Sequence, residues 1–228
     1  MAATITQSNF TFLKDLEKNN NRDWFTEHKK RYLAEHENVV GFADALIAAM
    51  GEVDNIETPT GKKSLFRIYR DTRFSNNKTP YKTHWSGGLK RATKLLRGGY
   101  YFHIQPGESF VGGGFWGPNP DDLKRIREDI AQDDSELRKI IGDKTFVETF
   151  GTLHGDQVKT APKGYSKDHP AIDLLRYKSY TIMRSFSDKE VLAPDFLNQV
   201  VDTFGKMRPF FDYMSEVLTT DSNGNPLH

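Results

Sequence analysis

Phe25, His28, Tyr32, His36, Val39, Ala43, Leu46 and Met50 recur at steps of three or four. That is the spacing of one helix face. His28 and His36 fall on the same face, where core or interface histidines are the expected reading. Asn21 is placed to cap this helix and Gly51 to stop it. A shorter helix through Phe12, Leu13 and Leu16 precedes it, capped by Ser8 or Asn9 and broken at Asn19-Asn20-Asn21. Alternation then predicts strands near 65–69, 84–89, 99–105, 109–116 and 177–186. Gln105-Pro106-Gly107-Glu108 reads as the hairpin turn between two of them. Helices follow near 121–132 and 135–141, with a turn near 145–150, a turn-rich stretch over 151–170, and a last helix over 194–218 that Pro209 bends. Helices, then strands close in sequence, then helices indicate an α+β fold. The expected architecture is a mainly antiparallel sheet of about five strands packed with N- and C-terminal helices. We read one domain over 1–228, with a core over about 8–218 and mobile termini.

Composition narrows the class. The 228 residues contain 36% hydrophobic side chains and no cysteine, which removes disulfides and thiol chemistry together. No apolar stretch approaches the ~18 residues of a membrane span, and Met1 to Phe10 lacks the basic-then-apolar pattern of a signal peptide. A cytoplasmic protein without membrane partners is expected; oligomeric state is not legible. Charge is near balance, with 32 basic and 31 acidic side chains, but residues 62–97 carry eleven basic against one acidic. Such a block repels itself unless acids elsewhere or an anionic partner compensate.

The chemistry-bearing residues lie in that block. On a strand, Phe66, Ile68, Arg70, Thr72 and Phe74 would share an apolar face, and Arg70 would need a partner brought from elsewhere. Arg67, Arg73, Lys78 and Lys82, with Tyr81 and His84 beside them, could converge on an anion, since guanidinium forks and ammonium groups suit phosphate or carboxylate. A second basic stretch contains Lys159, Lys163, Lys167, Arg176 and Lys178. Folded over the first, it would add Arg176 and Lys178 to one basic cleft.

Other signals are weaker. Gly112-Gly113-Gly114-Phe115-Trp116-Gly117 spells GxGxxG, but inside a strand and ahead of Pro118, so a bulge or a close backbone approach is expected rather than a dinucleotide loop. The seven histidines show no metal-ligand spacing, and no phosphate-loop or nucleophile-elbow string occurs, so neither metal nor cofactor is expected. His84 and His103 could serve acid–base chemistry beside Asp71 or Tyr69; Asp71 and His84 are the catalytic candidates. Trp24, Trp85 and Trp116 read as core or cleft-wall residues.

The runs Asn19–Phe25, Phe66–Ser75 and Lys78–His84, with Gly99-Tyr100-Tyr101, Gly112–Trp116, Pro162–Tyr165 and Leu174–Ser179, resemble the bacterial and fungal family termed domain of unknown function 2461. The resemblance extends from about Phe10 to Leu218. It implies a standalone protein and carries over no catalytic residue.

Four readings follow. The first is binding of a phosphate-bearing or other anionic small ligand in a basic, aromatic-lined cleft. The second is an enzyme acting on an anionic substrate there. A third is single-stranded nucleic-acid binding, because Phe66, Tyr69, Phe74, Tyr81 and Trp85 interleave the cations. The last is a structural protein whose basic cluster is neutralised internally.

Overall fold

A computed structural model describes residues 3–221 and 224–227. Three helices open the chain: α1 (Gln7–Lys18), α2 (Arg22–Glu27) and α3 (Lys29–Gly51), followed by a single turn, α4 (Gly61–Ser64). Strands β1 (Trp85–Lys90), β2 (Gly99–Ile104), β3 (Ser109–Phe115) and β4 (Tyr180–Phe186) form one antiparallel sheet in the order β1-β2-β3-β4. Between β3 and β4 come α5 (Pro120–Gln132), α6 (Ser135–Gly142), α7 (Lys144–Phe150) and α8 (Ile172–Leu175); α9 (Asp188–Val191) and α10 (Phe196–Thr219) close the chain. The fold is α+β with four strands rather than about five.

The missing strand is 65–69. It makes only isolated bridges, Leu65 with Gly87 and Tyr69 with Tyr81. Three residues, 66–68, lie between these bridges on one side and five, 82–86, on the other. The register therefore slips by two, and Thr83 and His84 bend out of the ladder. Such a bulge interrupts pairing and re-aims the side chains it carries. The expected apolar face also fails: Ile68 is buried, but Phe66 is 53% and Phe74 96% exposed.

The first turns of the chain brace this pairing. Thr6, not Ser8 or Asn9, caps α1, and its amide donates to Asn9 Oδ1 at 2.9 Å. Asn9 is fully buried and donates from Nδ2 to Glu35 Oε2 at 2.7 Å, tying α1 to α3. Asn21 caps α2, accepting from the Trp24 amide at 2.9 Å. The expected long helix is broken at His28, whose Nδ1 donates to the Trp24 carbonyl at 2.8 Å while its ring stacks on Trp24. A side chain competing for a helix carbonyl in this way favours a boundary. Asn20 does something the sequence pattern did not suggest. Its amide Nδ2 donates to the Tyr81 carbonyl at 3.0 Å, and its Oδ1 accepts from the Tyr81 amide at 3.1 Å. One side chain thus satisfies both backbone groups of Tyr81, as a neighbouring strand would.

The described chain divides into two compact units. The first comprises 1–90, 101–111 and 185–202; its core is built from Phe12, Leu13 and Leu16 of α1, Val39, Phe42 and Leu46 of α3, and Trp85, Phe102 and Phe196. Phe42 stacks on Phe196 and meets Phe102 edge-on. The second comprises 91–100, 112–184 and 203–228, with Tyr100, Phe115, Tyr180, Phe204, Met207 and Phe211 buried. Arg91 is buried there, paired with Asp212 and within 3.3 Å of Ser215 Oγ, as a desolvated guanidinium requires. Trp116 is 55% exposed, contrary to its expected core or cleft-wall role. The expectation of mobile termini falls partly on residues 1, 2, 222, 223 and 228, outside the described residues. Ile5 is buried, and Thr220 bridges to Pro226.

The glycine run marks close packing. A β-carbon at Gly113 would lie 2.5 Å from Phe211 Cζ and 2.7 Å from the Gly99 carbonyl oxygen. Helix α10 and the neighbouring strand thus approach the run as closely as its sequence led one to expect. At the hairpin, Gly107 has φ +80°, and the Glu108 amide donates to the Gln105 carbonyl at 3.0 Å, a type II turn with Pro106 ahead of the glycine.

Three stability predictions follow from this packing. Gly113→Ala is expected to cost about 1–3 kcal/mol by overpacking, read from urea unfolding midpoints. Gly41→Ala on α3, where nothing lies within 4 Å, should be neutral or stabilising by up to about 1 kcal/mol. Asn20→Ala is expected to cost about 1–3 kcal/mol, because it strands two part-buried backbone groups; an unchanged midpoint would refute the brace.

Candidate functional site

The bulge opens onto a cavity of about 370 Å3. Its walls come from the end of α1 (Glu17), the following turn (Asn20), the paired segments (Arg70, Tyr81, Lys82, Thr83 and His84) and the connection between them (Asn77 and Thr79). The volume is at the small end of ligand cavities, ~300–1,000 Å3. A neighbouring cavity of about 320 Å3 shares Glu17 and Thr83 and reaches the β2–β3 turn at Gln105 to Glu108.

Aromatic packing fixes the floor. Tyr81 is buried and lies flat on Phe25, with ring centroids 3.9 Å apart at 16°. Trp85 is buried between Phe12 and Tyr32. These two rings are consumed by the core and unavailable for stacking bases. The interleaved aromatics left exposed are Phe66, Tyr69 and Phe74.

Arg70 and Lys82 supply the charge. The Arg70 guanidinium donates through Nη1 to the Thr79 hydroxyl and, at 3.4 Å, to its carbonyl. The partner Arg70 required is therefore neutral and nine residues away. Among the described residues nothing accepts from its Nε or Nη2, the two-donor edge that matches carboxylate and phosphate. Lys82 has no carboxylate partner among the described residues; its ammonium sits 5.7 Å from the Phe66 ring centroid. Burial, and then the charge of Arg67, lower the Lys82 pKa from its ordinary value.

His84 shares the cavity with them. Its ring packs against that of His103, tilted by 34° with centroids 4.1 Å apart. Burial first, then His103, Lys82 and Arg70, push its pKa down to about 3, so the imidazole is neutral at physiological pH. His103 is held by Tyr101 Oη, 3.1 Å from Nδ1, and by Gln105 Oε1, 3.0 Å from Nε2. The Nε2 contact requires a proton on Nε2, and neutral Nδ1 then accepts from the tyrosine. Burial also lowers the His103 pKa.

The other candidates do not line this cavity. Arg73 and Asp71 form an exposed pair at 2.7 Å, which holds the Asp71 carboxyl below its ordinary value. Lys78 is exposed and donates to the Thr72 carbonyl at 2.9 Å. Arg67 is exposed and has no bonded partner among the described residues. Arg176 and Lys178 belong to the second unit, where Arg176 donates to the Val158 carbonyl at 2.9 Å and Lys178 lies 3.7 Å from Asp156. Glu17, Asn20, Asn77 and Thr79 were missed as cavity residues. Only the density of Asn and Thr around 77–79 hinted at them, through its turn propensity.

Internal neutralisation covers part of the basic block. Arg73, Lys90, Arg91 and Arg97 pair with Asp71, Glu57, Asp212 and Asp122. Lys62, Lys63, Arg67, Arg70, Lys78, Lys82 and Lys94 meet no carboxylate among the described residues.

Among the described residues, no helix is long and apolar enough to cross a membrane, and no group of three or more His, Asp or Glu is arranged to hold a metal ion. No curated protein and no solved structure matches the chain. Residues 8–213 match the family described as conserved hypothetical protein, domain of unknown function 2461, and the chain belongs to that family.

Proposed function

We propose that this protein binds a phosphate-bearing or otherwise anionic small ligand in the cavity lined by Arg70, Lys82 and His84. One observation carries the reading: two cations line a single concavity, and neither meets a carboxylate among the described residues. Glu17, on the same wall, offsets one charge and leaves the cavity with net positive character. The two unfilled donors of Arg70 offer a bidentate seat, and Lys82 adds a point charge. Binding is favoured over catalysis. A histidine with a pKa near 3 is a weak base at neutral pH, and Asp71 is engaged by Arg73 on the surface.

Thermal unfolding in inorganic phosphate, against chloride at equal ionic strength, tests the reading. Ligand at 100 times its dissociation constant stabilises by about 2.7 kcal/mol, a rise of roughly 5–10 °C for a chain of this size. The rise is expected to vanish in Lys82→Gln and in Arg70→Gln. An equal rise in both variants would place the anion elsewhere and defeat the reading.

Acid sensitivity should follow from His84. Its folded pKa lies below the ordinary 6.5, so the unfolded chain binds more protons as pH falls below that value. The stability associated with neutral His84 is complete above pH ~6.5 and drains away towards pH ~3. Between pH ~6.5 and ~5, above most carboxylate titration, the melting temperature should fall in wild type and fall less in His84→Gln. Parallel curves would show that His84 is not buried as described.

A further inference from the structure

We propose that the anion bound here is a phosphate monoester carrying a planar aromatic ring, with the phosphate on Arg70 and Lys82 and the ring against Phe66. The inference rests on the anion-binding reading and adds the chemical class of the ligand. Phe66 is 53% exposed, yet its place is defined: its ring lies 6.1 Å from that of Tyr101, which lies 5.6 Å from that of Phe110. The same Tyr101 hydroxyl reaches His103, whose ring packs at a tilt against His84 in the cavity wall. A row of rings therefore leads from the cavity to Phe66. Lys82 joins the two ends, lining the cavity while its ammonium stands 5.7 Å from the Phe66 centroid.

An isolated exposed phenylalanine needs no explanation. One held by a neighbouring ring, beside an ammonium without a carboxylate partner, offers a flat apolar face next to an anion seat. Ring stacking supplies binding energy without reading the ring's edge, because any planar π system has a face to offer. The cavity is small for a ligand bearing both a phosphate and a ring, which favours placing the ring at its mouth. A mononucleotide and an aryl phosphate share this chemistry, and the test separates them.

Isothermal titration would compare ribose 5-phosphate, adenosine 5′-monophosphate and O-phosphotyrosine on wild type, Phe66→Ala and Phe66→Tyr. In wild type, at least one ring-bearing phosphate should bind about tenfold tighter than ribose 5-phosphate, which is 1.4 kcal/mol and the size of one base–aromatic stack. Phe66→Ala should erase that preference while leaving ribose 5-phosphate affinity unchanged, and Phe66→Tyr should retain it. Whichever of the two ring-bearing phosphates binds tighter identifies the source of the ring. Equal affinity of all three probes in wild type, or a preference that survives Phe66→Ala, overturns the inference and leaves the anion reading standing. Failure of every probe to bind overturns both.

Discussion

The candidate site depends on one interrupted pairing of backbone. Residues 65–70 run against 80–87, and the ladder slips by two residues between its bridges. A regular ladder continued from the Tyr69–Tyr81 bridge would have placed Thr83 opposite Arg67 and His84 opposite Phe66. The slip bends them outward beside Arg70 and Lys82. Two contacts hold it from below: Asn20, which satisfies the backbone of Tyr81 in both directions, and Phe25, on which the Tyr81 ring lies. The run Asn19-Asn20-Asn21 therefore ends one helix, braces the site and starts the next helix with consecutive residues.

Electrostatics then sort the basic block by location. Where a cation is buried, as Arg91 is, a carboxylate and a hydroxyl come with it, because desolvation without a partner is too costly. On the open surface, Arg73 takes the acid nearest in sequence. Arg70 and Lys82 fall between these cases. They are half-buried and, among the described residues, meet no carboxylate. The neutral state of His84 follows first from its burial, and then from the positive charge it would add beside His103, Lys82 and Arg70.

Much of the fold was legible because it is local. The hairpin turn needed only Pro106 and Gly107, and α5 needed Asn119 as its cap with Pro120 in the first turn. Strand β2 shows its alternation directly, with Tyr100, Phe102 and Ile104 buried and Tyr101 and His103 half-buried on the other face. The fifth strand was misjudged for a specific reason. Alternation in 65–74 describes side chains, whereas a strand is defined by continuous pairing, and the bulge breaks the pairing without disturbing the alternation. The helix break at His28 escaped notice because the apolar period runs through it, while a side-chain bond to the Trp24 carbonyl ends the helix.

Composition and local pattern alone determined the α+β class, most helix positions, the family and the segment that lines the candidate cavity, since these rest on neighbours within a few residues. Only the tertiary structure decided which cations remain without carboxylates. Arg91 and Arg97 look like Arg70 in the sequence, yet Asp212 and Asp122 reach the first two, while among the described residues the Arg70 guanidinium donates to Thr79 and meets no carboxylate. Ion pairing depends on distances between segments far apart in the chain, and the attraction between two charges is set by their separation and by the water excluded around them. Neither quantity is written in the order of residues.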